Sequence, residues 1–317
     1  MTLRADDLID RRRLRRKLTF WRIAAIAVAA LAIVAVAAWF TGAETGTAVD
    51  HIARVKIEGT ITEDDELIER LEKIRKSERV KGVILTIDSP GGTTVGGESI
   101  FEEVRKLAAD KPVVAQVGTL AASAGYMIAA AADHIVARKS SIVGSIGVLI
   151  QYPDVTGLMD KIGVKLEEVK SSPLKAEPSP FNATTEEERA MVRKLIMDSY
   201  DWFVGIVAER RGMSREQVLA LADGSIFTGR QALTNKLIDQ VGGEDEAVAW
   251  LSSRGVDAEL KVVDWKKTGR SSDWLFSKAL ARTVARALGL PEDSISMLDQ
   301  IGADRLFLDG LVSVWHP

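Results

Sequence analysis

The chain has 317 residues, enough for one large domain or two ordinary ones, and a formal net charge of −3 at pH 7. That charge gives no global support to nucleic-acid binding. The absence of cysteine excludes disulfides, thiolate catalysis and cysteine-ligated zinc or iron–sulfur centres. The three histidines, His51, His134 and His316, show no metal-binding spacing, so neither a metal nor a cofactor is expected.

The N-terminus reads as an address. A basic cluster over residues 11–17 precedes an uncharged apolar run, residues 23–40, bracketed by Trp21 and Trp39. The run is near the minimum for a membrane span, about 17–25 residues. Tryptophans prefer the interface, and the one-sided basic cluster holds its end in the cytoplasm. Expected here are a cytoplasmic segment 1–22, a transmembrane anchor 23–40 contacting lipid, and a tether 41–50. A cleaved signal peptide is the alternative, with Ala35-Val36-Ala37 as its cleavage site; the apolar run is long for that reading.

From His51 onward, strand and helix patterns alternate. "HIARVKIEG" predicts a strand, "TEDDELIERLEKIRKSERVK" a helix with an acidic first turn, and "GVILTID" a strand covered on both faces. "VGGESIFEEVRKLAAD", "PVVAQV", "SAGYMIAAAA" and "DHIVAR" continue as helix, strand, short helix and strand. "IGVLI" (146–150) and "VKLEEV" (164–169) are predicted strands flanking the helix "VTGLMDKIG". This rhythm implies a parallel α/β sheet, with crossovers short enough to suit a spiral of β-turns-α units. A long helix follows over 184–212, entered through Thr184 or Thr185, then a capping-box start at Ser214 and Gln217. The main domain is expected over 51–243 and an extension over 244–317, with a strand in "ELKVVDW", an amphipathic helix at 274–288 and an apolar end, "RLFLDGLVSVWHP".

Three stretches hold candidate chemistry. "DSPGG", Asp88 to Gly92, ends a buried strand, where parallel sheets place ligands. Its glycines let backbone N–H groups approach a substrate oxygen, with Gly92 or Gly91 as an oxyanion donor; an ordinary strand-to-helix turn is the other reading. Ser123 stands between a strand and a short helix, one residue away from the G-x-S-x-G signature because Ala121 replaces its first glycine. It reads either as a nucleophile, with its own N–H as a second oxyanion donor, or as an N-cap. "KSSPLKAEPSPF", residues 170–181, carries Lys175 between apolar neighbours and Lys170 in a position that looks solvated. A lysine acts as a base only when neutral, which apolar burial favours; a plain surface loop is the alternative.

Taken in order, "DSPGG", "ASAGYMIA", "GSIGV", "SSPLK" and "FTGRQAL" resemble the signal peptide peptidase A (SppA) family of membrane-anchored serine peptidases, over residues 54–243. The resemblance implies a ClpP/crotonase-like spiral of ββα units preceded by one transmembrane helix. It implies Ser123 as nucleophile, Lys175 as general base, Ser145 as the hydroxyl that orients the lysine, and Gly92 with the Ser123 N–H as oxyanion donors. It also implies apolar, signal-peptide-like substrates and a homo-oligomer in which adjacent protomers share the dyad. The implied location is the bacterial inner membrane, with the catalytic domain outside the cytoplasm. Ala124 stands where the family usually has glycine, Ser171-Ser172-Pro173-Leu174-Lys175 stands where it usually has S-G-x-x-K, with Ser172 in place of the glycine, and Lys236 replaces another glycine. A crotonase-like acyl-CoA hydratase or thioesterase, and a tethered scaffold without activity, are the rival readings.

Overall fold

The computed structural model describes residues 21–25, 27–28, 49–266 and the backbone of 312–314. Residues 21–25 and 27–28 are helical and largely exposed. Among the described residues no helix is long and apolar enough to cross a membrane; the anchor expected over 23–40 lies mostly outside them, as do the helix expected at 274–288 and His316.

The body is a mixed α/β structure built on a largely parallel sheet. Strand β1 (His51–Glu58) leads through helix α1 (Asp65–Lys76) to β2 (Val80–Ser89), its parallel neighbour. Helix α1 starts where the Asp64 carboxylate accepts from the Leu67 N–H at 3.1 Å. It buries Leu67, Leu71 and Ile74, one stripe at helical spacing. A short β3 (Gly91–Thr93) and helix α2 (Thr94–Asp110) follow, then β4 (Val113–Ala122), parallel to β2.

Strand β4 then divides its partners. Its first half pairs with β5 (His134–Ala137), and its last residues, Leu120–Ala122, pair with β6 (Ile142–Gly144). Between them runs helix α3 (Ala124–Ala131), every residue of which is buried. A run of alanines allows this: small side chains let the helix lie close against its neighbours. A Cβ on Gly97 of α2 would stand 3.1 Å from the Ala124 methyl.

Helix α4 (Thr156–Ile162) and the long α5 (Glu186–Arg211) come next. Thr185 caps α5 through a reciprocal box with Glu188. After α6 (Arg215–Leu219), β7 (Ile226–Thr228) returns antiparallel to β6. Helix α7 (Gly229–Thr234), β8 (Gln240–Val241), α8 (Glu244–Ser253) and β9 (Val262–Asp264) complete the described body. Strand β9 lies parallel to β1 at the sheet edge, and Arg54 on β1 bonds Asp264 and, at 2.7 Å, Glu244. The main core packs α1, α2, α3 and α5 on one face of the sheet; a smaller one packs Ala247, Leu251 and Val256 against Ile52, Ile84, Val114 and Val136.

Two expected strands are absent. Residues 146–148 are not a strand, and the pairing at this edge falls on Ile142–Gly144 instead, because β4 needs a partner at its carboxyl end. "VKLEEV" (164–169) forms no strand in the single chain; it is exposed, and its alternating pattern has no sheet edge to join.

Candidate active site

Ser123 sits in the one-residue bend between β4 and α3. Its φ of 57° and ψ of −121° lie where side chains are disfavoured, a cost of about 1–3 kcal/mol. A strained strand-to-helix turn is the geometry that lifts a serine hydroxyl above the end of a sheet. The hydroxyl makes no N-cap bond to the helix, so the capping reading of Ser123 fails in its side chain.

Helix α3 is held at both ends of its length. The Arg210 guanidinium donates to the carbonyls of Ala130 and Ala132, each at 3.1 Å, and Arg105 donates to Ala131 at 2.8 Å. These cations satisfy the orphan carbonyls of the helix C-terminus and suit its dipole. Tyr126 is fully buried and its hydroxyl donates to the Leu237 carbonyl at 2.9 Å; burial pushes the phenol's pKa well up, so it stays neutral. The nucleophile candidate therefore stands on an element with little freedom to shift.

Strand β3 carries the "DSPGG" glycines beside this helix. The Ile61 N–H donates to the Gly91 carbonyl at 2.9 Å and the Thr93 N–H donates to the Ile61 carbonyl at 2.8 Å. The Gly92 N–H and C=O consequently face the other edge. There the backbone of β10 (Val312–Val314) runs antiparallel, with Ser313 opposite Gly92. Gly92 must be glycine: a Cβ there would stand 1.8 Å from the Ile61 carbonyl oxygen. The Gly91 N–H is taken, donating to the Ser89 hydroxyl at 3.1 Å. Of the two glycines, Gly92 is the one aimed outward.

The Ser123 N–H, expected as the second oxyanion donor, instead donates to the Gly144 carbonyl at 2.8 Å. The physical reason is the β4–β6 pairing, which continues one residue past Ala122. The next amide, that of Ala124, opens α3 and has no intrahelical acceptor. Sequence reasoning missed this donor, and also Ser89, whose buried hydroxyl donates to the Gly59 carbonyl at 2.6 Å and so ties the glycine turn to the end of β1. The serine within "DSPGG" was the available signal.

Ser145 follows β6 as Ser123 follows β4, also at positive φ, 53°. Its N–H donates to the Ser225 carbonyl at 2.8 Å. Both serines are buried and line one cleft of about 460 Å³, with Leu149, Ile196, Met197 and Tyr200 as its apolar wall. The Tyr200 hydroxyl donates to the Ala222 carbonyl at 2.7 Å, and burial raises its pKa. The cleft lining includes no lysine and no histidine. His51 accepts from the Trp265 indole at 3.0 Å, and His134 stacks on Trp250, so both serve packing.

The structure does not bring Lys175 to Ser123 within one chain. Lys175 is exposed and absent from the cleft lining. Lys170 is not solvated as expected: it pairs with Glu168 and Glu177, and those carboxylates raise its pKa. A lysine so paired stays charged and is unsuited to act as a base. Among the described residues no group of histidine or acidic side chains has the arrangement of a metal site.

Residues 105–299 match the family model "Peptidase family S49", and residues 49–154 match that of Clp protease. The chain is 34% identical over 251 residues to an Enterococcus faecium protein with the provisional name signal peptide peptidase SppA, covering 74% of this chain and 73% of that protein. It is 40% identical over 198 residues to a provisionally named protease of Methanocaldococcus jannaschii, covering 62% of this chain and 64% of that one. Against Protease 4 of Haemophilus influenzae it is 36% identical over 209 residues, 63% of this chain but only 34% of that protein.

Proposed function

Because the chain belongs to peptidase family S49 and is a serine peptidase, we propose that it works by a Ser123–Lys175 dyad assembled between neighbouring copies. The supporting observation is an incomplete site: Ser123 stands at a strained elbow in a cleft whose lining, Asp223 apart, offers no titratable base and includes neither lysine nor histidine, while Lys175 is exposed on a loop. Exposed Leu158, Ile162, Val164, Leu166 and Val169 on the segment before it suit burial against a second copy.

Neutral Lys175 Nζ of one protomer takes the Ser123 hydroxyl proton of the next as the oxygen attacks a peptide carbonyl. The Gly92 N–H and the Ala124 N–H receive the developing oxyanion. The lysine then protonates the leaving amine, leaving an acyl-serine. Water, deprotonated by the same lysine, releases the acid product and regenerates the serine. Ser145 accepts from the lysine amine and orients it without adding charge. The substrates are apolar peptides of signal-peptide type, lying extended along β3 as the β10 backbone does. The fold is a ClpP-like spiral, tethered to the bacterial inner membrane by residues 23–40 with its catalytic domain outside the cytoplasm.

A serine-directed acylating probe tests the reading. It should label Ser123 in the assembled protein and fail to label Lys175→Ala. Equal labelling of both would overturn the dyad.

A further inference from the structure

The loop that carries Lys175 is cross-tied by one buried carboxylate. The Glu177 side chain is only 3% exposed although residues 171–173, Lys175 and Ala176 of the same loop are exposed. One of its oxygens, Oε1, accepts from the Lys170 ammonium and, at 3.0 Å, from Asn182 Nδ2. The other, Oε2, accepts from the Ser179 N–H at 2.7 Å. The donors come from both sides of Lys175: residue 170 before it, residues 179 and 182 after it. Asn182 makes its bond to Glu177 through Nδ2, and its Oδ1 is buried with no hydrogen-bond partner.

Within the closed stem the chain makes two tight turns. The Lys175 N–H donates to the Ser172 carbonyl at 3.1 Å, and the Glu177 N–H donates to the Leu174 carbonyl at 3.4 Å. Ala176 is held at a φ of 63° between them. The far end is moored by the Val155 N–H, which donates to the Pro180 carbonyl at 2.9 Å. Residues 170–182 have no regular helix or strand, so their shape rests on this hub, these turn bonds and the Phe181 N–H donating to Ser179 Oγ at 3.2 Å. Lys170 on one stem and Ser179 and Asn182 on the other converge on the same carboxylate, and Lys175 is presented between them with its side chain in solvent.

We infer that Glu177 is a positioning residue for catalysis: it sets where Lys175 stands without touching substrate or the reacting atoms. This rests on Lys175 being the base. A base must arrive within hydrogen-bond reach of the serine it deprotonates, and misplacement by about 1 Å can cost about 100-fold in rate. In a site completed by a second copy, a loose loop cannot correct itself against its own protomer's core. A charged donor, an amide side chain and a backbone N–H on one buried carboxylate supply the rigidity instead; hydrogen bonds to a charged acceptor are the strong ones.

The experiment compares Glu177→Ala, Glu177→Gln, Asn182→Ala and Lys175→Ala in the full-length, assembled protein. Readouts are kcat and KM on an apolar peptide, subunit number by light scattering, and thermal midpoint. Glu177→Ala should lose about 100-fold in kcat with KM within about twofold and the assembly intact. Glu177→Gln keeps one acceptor oxygen for Lys170 and Asn182 but turns a donor toward the Ser179 N–H, so it should recover about tenfold of that loss. A purely structural role predicts a lowered midpoint with wild-type kcat below it. Should Glu177→Ala not assemble, Asn182→Ala decides, with a kcat loss of several-fold expected and an unchanged kcat overturning the role. Wild-type kcat in Glu177→Ala overturns the inference while an inactive Lys175→Ala leaves the base assignment standing. An active Lys175→Ala removes the base assignment itself.

Discussion

Ser123 and Ser145 are equivalent positions on neighbouring strands. Ala122 pairs with Gly144 at the carboxyl ends of β4 and β6, and each serine is the next residue, each at positive φ, 57° and 53°. The Ser123 N–H donates to the Gly144 carbonyl and locks the two ends together. Both hydroxyls thus meet one cleft because the sheet places them there.

That shared backbone strain separates chemistry from stability. Replacing either serine by glycine removes the hydroxyl and relieves the positive-φ cost, whereas alanine keeps the cost. Ser123→Gly and Ser123→Ala should both be inactive, yet the glycine variant should be the more stable by about 1 kcal/mol, read by denaturant midpoint. At Ser145 the same ordering in stability is expected, with a reduced but measurable kcat in both variants. Equal stabilities would argue against the strained bend.

Gly92→Ala puts a methyl group 1.8 Å from the Ile61 carbonyl. That carbonyl accepts from Thr93, so the backbone itself must move. Peptide hydrolysis should fall by about 100-fold or more, as for loss of an oxyanion donor. Gly91→Ala, at a φ of 106°, should cost stability as well. A fully active Gly92→Ala would show that the donor lies elsewhere.

Mixing inactive variants tests the shared site. Ser123→Ala and Lys175→Ala should each be inactive alone. Co-assembled, they should regain part of the wild-type rate, because some interfaces then join an intact serine to an intact lysine. No recovery in verified mixed assemblies would place both groups within one chain.

Residues Val312–Val314 pair with the β3 edge along which the proposed extended substrate would lie. A chain ending before residue 307 should leave the Gly92 amide open, with faster hydrogen exchange there and a lower KM for peptides. Unchanged exchange at Gly92 would show that the strand pairing does not protect it.

Acid should release the Lys175 loop only below the ordinary glutamate range. The Lys170 ammonium, then Asn182, hold the Glu177 carboxyl below its usual value of 4.5. A depressed folded value means the clamp's contribution is complete above the unfolded value and is lost as pH falls through the folded one. The Ser179 amide resonance should therefore stay constant at pH 5 and shift only in stronger acid. A shift centred at or above the ordinary value would contradict the ion pair.

Much of the molecule was legible in the order of residues. Apolar runs such as "GVILTID" predicted strands buried on both faces, and "ASAG" and "DSPGG" marked the bends at strand ends, because burial and glycine geometry are local properties. Pattern also marks Ser214 as a cap and narrows the start of the long helix to Thr184 or Thr185, of which Thr185 caps it. What pattern could not decide were contacts made across the fold. The strand expected at 146–150 fell at 142–144, since the carboxyl end of β4 chose its partner. The Ser123 N–H was lost to Gly144 for the same reason, leaving the Ala124 amide open. Lys170, which looked solvated, is ion-paired because Glu177 folds back from seven positions on. The sequence alone therefore named candidates, a serine, a lysine and a glycine turn, whereas tertiary structure decided the hydrogen bonding around them, because hydrogen-bond partners are settled by which strands and loops come to lie side by side.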